Sequence, residues 1–139
     1  MEMNSVSAPI TKYLMAKAVR QKIPLSGIFE LTPLCNMNCR MCYVRMNREE
    51  QEKIAPLGTV EQWLEVGKEA RDGGMLYLLL TGGEPFLRKD FREIYQGLYD
   101  QGIIVEINSN GTLIDEQTVA WLKEVPPQRI NITLYGASD

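Results

Sequence analysis

No histidine occurs among the 139 residues, and the only three cysteines, Cys35, Cys39 and Cys42, fall within one stretch of eight. Without histidine, a structural zinc site built on those thiols has no obvious fourth ligand. An odd, tightly grouped cysteine set is not a disulfide framework and fits a reducing compartment. No wholly apolar run exceeds a handful of residues, far short of the roughly 20 needed to cross a bilayer. The segment from Met1 to Pro9 has neither the charged start nor the apolar stretch of a secretory signal. Cytoplasmic localisation is therefore expected. Basic charge is not in excess: 15 Lys and Arg against 18 Asp and Glu leave a formal charge of −3, and no basic stripe points to nucleic acid. Hydrophobic residues at 45% and charged residues at 24% exclude a disordered chain, and the length is that of one domain.

Within that length the elements alternate. Thr11 to Lys22 predicts a short basic helix stopped before Pro24. Ile28 to Thr32 reads as a strand running straight into the cysteine loop, and Asn47 to Lys53 as a solvated loop or helix face. Thr59 and Gln62 form a capping-box pattern ahead of a helix carrying Val60, Trp63, Leu64 and Gly67 on one face. That helix stops at Gly73-Gly74, and Leu76 to Leu80 reads as a strand buried on both faces, ending in Thr81-Gly82-Gly83. The pattern repeats. Asp90 opens a helix with Phe91, Ile94, Tyr95 and Leu98 inward, and Ile103 to Ile107 is the next strand. Asp115 opens another with Val119 and Leu122 inward, Pro126-Pro127 stops it, and Ile130 to Leu134 is a fourth strand. The last strands recur about 27 residues apart, the size of a βα crossover unit, so the expected fold is a parallel α/β sheet, open or part of a barrel. Ending at Asp139, where another helix is due, the chain reads as truncated or as completed by a second chain.

In parallel α/β folds ligands sit beyond the carboxyl ends of the strands, and here four loops converge on that side. The first holds the three thiols in CX3CX2C spacing, which suits three corners of a cubane iron–sulfur cluster and leaves one iron open to a substrate or cofactor. The second, Thr81-Gly82-Gly83-Glu84-Pro85, offers glycines for close backbone approach and a carboxylate for a cationic amino group. The third, Asn108-Ser109-Asn110-Gly111, and the fourth, beginning at Thr133, offer short hydrogen-bonding side chains. Plainer readings exist for each. Spacing of i, i+4 and i+7 also puts the three cysteines on one face of a buried helix, although Pro33, Asn36 and Asn38 make a poor packed helix. Gly82-Gly83 alone could be a tight turn, Glu84 a surface charge, Asn108 to Gly111 an ordinary turn and Thr133 an ordinary strand residue. Joint placement at successive strand ends sets the group apart.

CX3CX2C after the first strand and Gly-Gly-Glu-Pro after the second resemble the radical S-adenosylmethionine enzymes, over about Pro24 to Asp139. The resemblance implies a partial (β/α)6 barrel, truncated after about four βα strands; ahead of it, Met1 to Ile23 is expected as an N-terminal helical segment. It implies that Cys35, Cys39 and Cys42 bind a [4Fe–4S] cluster whose free iron chelates S-adenosylmethionine. One electron, from a donor such as flavodoxin or ferredoxin, then yields a 5′-deoxyadenosyl radical that abstracts hydrogen from the substrate. Gly83 and Glu84 would meet the methionine amino group, with Gly82 beside them. Ser109 or Asn110, with Thr133, would face the carboxylate or ribose. Met41 stands before the third cysteine where the family often has an aromatic near adenine, and a thioether packs there too. Leu79 stands where the molybdopterin-synthesis branch carries an arginine for its nucleotide substrate. ELTPLCNMNCRMCY, LTGGEPFLRKDF, NSNGTLI and ITLYGAS are most similar to the branch with a cysteine-rich C-terminal extension, which includes peptide and protein maturases. The resemblance therefore implies oxidoreductase-type radical catalysis with a peptide or protein as candidate substrate. The competing expectations are an electron-transfer or redox-sensing iron–sulfur protein, or an inactive truncated remnant.

Overall fold

A computed structural model describes residues 9–134. The first helix, α1 (Pro9–Gln21), precedes strand β1 (Ser26–Glu30). Two helices follow, α2 (Arg48–Ile54) and α3 (Val60–Asp72), and then β2 (Tyr77–Thr81). A single 3₁₀ turn (Pro85–Leu87) leads to α4 (Phe91–Asp100), β3 (Ile104–Ser109), α5 (Glu116–Glu124) and β4 (Arg129–Ile132). All strand pairs are parallel, in the order β1-β2-β3-β4, as crossover βα units require. The α/β sheet expected of a partial barrel is the fold observed.

One face of the sheet makes the core. Leu78 and Leu80 of β2 and Val105 and Ile107 of β3 are in register and buried, with Phe29 of β1 and Ile130 of β4 packed beside them. Against them lie Ile94, Tyr95 and Leu98 of α4 and Trp121 and Leu122 of α5, with Trp63 and Leu64 of α3. Burial raises the Tyr95 phenol well above its usual pKa, and its hydroxyl donates to the Val125 carbonyl at 2.7 Å. The period-3.6 helices and period-2 strands thus meet on one apolar layer.

Three details depart from the sequence expectations, and a fourth resolves an alternative they left open. β2 is buried on one face only: Tyr77, Leu79 and Thr81 stay half-buried, and Ile28, their neighbour on β1, is 65% exposed. An apolar run cannot reveal that, because leucine on an open face reads like leucine in a core. Each strand also begins one or two residues away from its apolar run, because cross-strand pairing sets the ends. Val119 is exposed and Trp121 takes the inward position on α5. The polar stretch after Asn47, expected as a solvated loop or helix face, is the helix α2, capped by a reciprocal box in which Asn47 Oδ1 accepts from the Glu50 amide and Glu50 Oε2 from the Asn47 amide.

Arg88 ties the segment after β1, the turn before α3 and the start of α4 together. Its side chain is 6% exposed and donates to the Leu31 carbonyl at 2.8 Å, the Gly58 carbonyl at 2.8 Å, and both carboxylate oxygens of Asp90. Hydrogen bonding to Arg88 holds the Asp90 carboxyl below its ordinary pKa. A lowered folded pKa means that this contribution is present above the unfolded value and is lost as pH falls through the folded one. Arg88→Leu strands two carbonyls and a carboxylate and is expected to cost about 2–4 kcal/mol at pH 7, less at pH 3. Urea denaturation at both pH values checks it; equal costs would remove the Asp90 contribution.

Candidate functional site

The cysteine loop begins where β1 ends, and its base is pinched shut. Leu34 and Met46 form an isolated parallel bridge, and the Met46 amide donates to the Pro33 carbonyl at 3.0 Å. The thiols sit on the loop so enclosed, not on one helix, so the buried-helix reading is overturned. Cys35 and Cys39 are half-buried, Cys42 is exposed, and all three are free thiols.

The two glycines after β2 act on this loop. The Gly83 amide donates to the Thr32 carbonyl at 2.6 Å and the Glu84 amide to the Leu34 carbonyl at 2.9 Å. A Cβ on Gly82 would collide with the Thr32 carbonyl, and one on Gly83 with the Leu34 carbonyl. Gly82 also has φ of +143°, outside the range open to most residues. The close approach seen here is to the backbone that carries Cys35.

A cavity of about 410 Å³ opens between the loops. Cys35, Cys39 and Cys42 line one side of it, together with Met41. Gly82 and Gly83 line the next part, followed by Ser109, Asn110 and Thr133. Nine of the ten residues singled out from the sequence therefore share one cavity at the carboxyl ends of the strands. Tyr135 to Asp139, the end of the fourth loop, lies outside the described residues. A larger depression of about 640 Å³, bounded by Arg48, Thr59 and Arg88, contains no thiol.

Glu84 is the exception. It is fully buried and does not line the cavity. Its Oε1 accepts from the Ser109 hydroxyl at 2.9 Å and the Phe86 amide at 3.1 Å, and its Oε2 from the Asn110 amide at 2.8 Å. The expectation that this carboxylate meets an amino group in the cavity is thus not what the geometry shows. Donors from the third loop hold it behind the wall. The carboxylate that does line the cavity is Glu30, the last residue of β1, on the open face of the sheet. Strand alternation counted from Ile28 places it there, but a lone strand-end glutamate carries no motif of its own.

Three N–H groups point at two of the sulfurs. The Met37 amide donates to Cys35 Sγ at 3.4 Å, the Arg45 amide to Cys42 Sγ at 3.3 Å, and Asn110 Nδ2 to Cys35 Sγ at 3.7 Å. Such donors suit thiolate ligands, whose charge they stabilise. Among the described residues no three His, Cys, Asp or Glu converge tightly enough to hold a single metal ion. Three soft thiolates around one cavity do fit a multinuclear iron–sulfur cluster, in which each binds a different iron.

The Radical SAM superfamily model matches residues 29–139. The chain belongs to that superfamily. Its members use a [4Fe–4S] cluster and S-adenosylmethionine. Over 108 residues it is 37% identical to a probable GTP 3',8-cyclase of Sulfurisphaera tokodaii, covering 76% of this chain and 33% of that protein. It is 33% identical over 113 residues to Fe-coproporphyrin III synthase of Methanosarcina barkeri, covering 78% and 27%. With PqqA peptide cyclase of Granulibacter bethesdensis it shares 29% over 110 residues, covering 79% and 29%. The chain thus spans a third or less of the length of these enzymes. In fold it is similar to Streptococcus suis SuiB bound to S-adenosylmethionine, with TM-score 0.64 and 22% identity over 87% of this chain and 28% of that one. SuiB bound to its precursor peptide SuiA gives TM-score 0.63 and 23% identity over 94% and 30%. No helix among the described residues is long and apolar enough to cross a membrane.

Proposed function

We propose that this chain forms the cofactor-binding part of a radical S-adenosylmethionine enzyme acting on a peptide or protein in the cytoplasm, with residues 24–139 as the core and a helical segment before it. The observation that carries the proposal is the single cavity shared by Cys35, Cys39, Cys42, Gly82, Gly83 and Thr133. When bound, the cluster and S-adenosylmethionine supply one-electron cleavage of a carbon–sulfur bond, giving a 5′-deoxyadenosyl radical that takes hydrogen from substrate. The electron comes from a donor such as flavodoxin or ferredoxin.

The residues of the chain do the holding and shielding. Cys35, Cys39 and Cys42 hold three corners of the cluster. Gly82 and Gly83, packed against the backbone that carries Cys35, form the part of the cavity wall beside which the methionine end of S-adenosylmethionine would lie. Met41 packs on the adenine through its thioether. Thr133, with the third loop, faces the ribose or carboxylate. Glu84 works from behind, fixing Ser109 and Asn110, while Glu30 offers its charge to a cationic group in the cavity. Such a site contributes positioning and electrostatics, and the cofactor the chemistry.

A peptide substrate is supported by the names of two relatives, PqqA peptide cyclase and SuiB with its precursor peptide. Leu79 supports it from within the chain. This aliphatic side chain on the open face, paired with Ile28 and Glu106, offers no positive charge to a nucleotide phosphate.

The test is anaerobic reconstitution with iron and sulfide, reduction, and addition of S-adenosylmethionine. Formation of 5′-deoxyadenosine is the expected result. A reduced cluster that is stable and indifferent to S-adenosylmethionine would instead favour an electron-transfer or redox-sensing protein.

A further inference from the structure

The third loop contains a closed ring of hydrogen bonds that touches a cluster ligand. Asn110 Nδ2 donates to Asn36 Oδ1 at 2.9 Å, Asn36 Nδ2 to Thr112 Oγ1 at 2.8 Å, and the Thr112 hydroxyl to Asn110 Oδ1 at 2.7 Å. The Thr112 amide also donates to Asn110 Oδ1, at 3.0 Å. Asn36 lies next to Cys35, inside the cysteine loop. The ring therefore bridges two loops more than 70 positions apart in sequence.

An asparagine amide has one accepting and one donating end, and neighbours decide which way it faces. Two donors from Thr112 occupy the oxygen of Asn110, so its NH₂ must turn toward the cysteine loop. There it reaches Cys35 Sγ at 3.7 Å as well as Asn36. Its backbone is fixed too, because the Asn110 amide is bound to the buried Glu84 carboxylate. Every rotatable degree of this donor is accounted for by another residue. Cys35 thereby gains a second N–H, beside that of Met37, whereas Cys42 has one and Cys39 none among the described residues.

We propose that Asn110 is a positioning and tuning residue for the cluster, raising its reduction potential by donating an oriented N–H to Cys35 Sγ, with Thr112 and Asn36 holding the amide in that orientation. This rests on the cluster assignment made under the proposed function. The physical basis is charge. Adding one electron makes the cluster and its thiolates more negative, and an N–H dipole aimed at a ligand sulfur stabilises the reduced form more than the oxidised one. No bond forms or breaks, and the electron comes from the reductant, dithionite in the titration below.

The experiment is an anaerobic dithionite titration of the reconstituted 139-residue chain, followed by electron paramagnetic resonance, with iron and sulfide measured on the same samples. Asn110→Ala is expected to keep its cluster and shift the potential negative by up to tenfold in the reduction equilibrium, about 59 mV for one electron. Asn110→Asp, which replaces the donor with a negative charge, is expected to shift further in the same direction. Thr112→Val, which removes one of the two donors that hold Asn110 Oδ1 and leaves Cys35 untouched, is expected to give a smaller negative shift, and Thr112→Ser to restore the wild-type value. An effect on folding alone would change cluster content and leave the potential of the loaded fraction unmoved. A fully loaded Asn110→Ala protein with the wild-type potential would overturn the inference and leave the cluster assignment standing, as would Thr112→Ser shifted as far as Thr112→Val. Wild-type protein that takes up no cluster would overturn both.

Discussion

Cys39→Ala is expected to lose its iron–sulfur cluster and all cleavage of S-adenosylmethionine while keeping its fold. Cys39 sits mid-loop, half-buried, with its thiol on the shared cavity and in no hydrogen bond among the described residues. Removing it takes nothing from the core or from the loop's base, where Leu34 and Met46 are bridged. It does leave two thiolates for a cluster that needs three. No histidine exists to replace the third. The loss should exceed the roughly 10–100-fold in affinity that removing a supporting group costs a metal site. Iron content and visible absorption after reconstitution read the effect, and far-ultraviolet circular dichroism the fold. A fully loaded cubane in this variant would mean that the protein ligands lie elsewhere.

The second large effect belongs to Glu84. Glu84→Ala is expected to destabilise the cluster-free protein by about 2–4 kcal/mol, because it strands the buried Ser109 hydroxyl and the part-buried Phe86 and Asn110 amides. Glu84→Gln keeps the volume but offers NH₂ where the carboxylate accepted, so an intermediate cost of about 1–3 kcal/mol is expected. Urea denaturation followed by tryptophan fluorescence measures both. Because the same carboxylate fixes the backbone of Asn110, cluster uptake should fall with stability. If Glu84→Gln left the unfolding midpoint unchanged and weakened only S-adenosylmethionine binding, Glu84 would be a cofactor contact, as its place in the sequence suggests.

Those two residues mark how far the sequence reaches. The thiols were legible because three ligands in a short loop are a local pattern, and helix starts at Thr59 and Asp115 because capping is local too. The parallel order followed from crossover spacing. The polar stretch after Asn47 left a solvated loop and a helix face both open, because the helix there buries little besides Gln51, and the Asn47–Glu50 capping box decides for the helix. What stayed hidden depends on distant partners. Glu84 is buried because Ser109 and Asn110, some 25 positions away, deliver hydrogen-bond donors to it. Gly82 and Gly83 looked made for a ligand, but the backbone that fills the space above them belongs to Thr32 and Leu34. Asn36 and Thr112 had no pattern of their own, and only the folded loops show what they hold. Glu30 was within reach of strand alternation, but a single carboxylate at a strand end says nothing until the cavity is seen.

The central claim is that three thiolates leave one iron free to bind S-adenosylmethionine. Electron paramagnetic resonance of the reduced, reconstituted chain before and after S-adenosylmethionine is added probes that iron itself. A reduced-cubane signal that changes shape on addition, and does not change with S-adenosylhomocysteine lacking the sulfonium methyl to the same extent, is the expected outcome. Uptake of zinc in preference to iron, or a cubane signal that S-adenosylmethionine leaves untouched, would contradict the account.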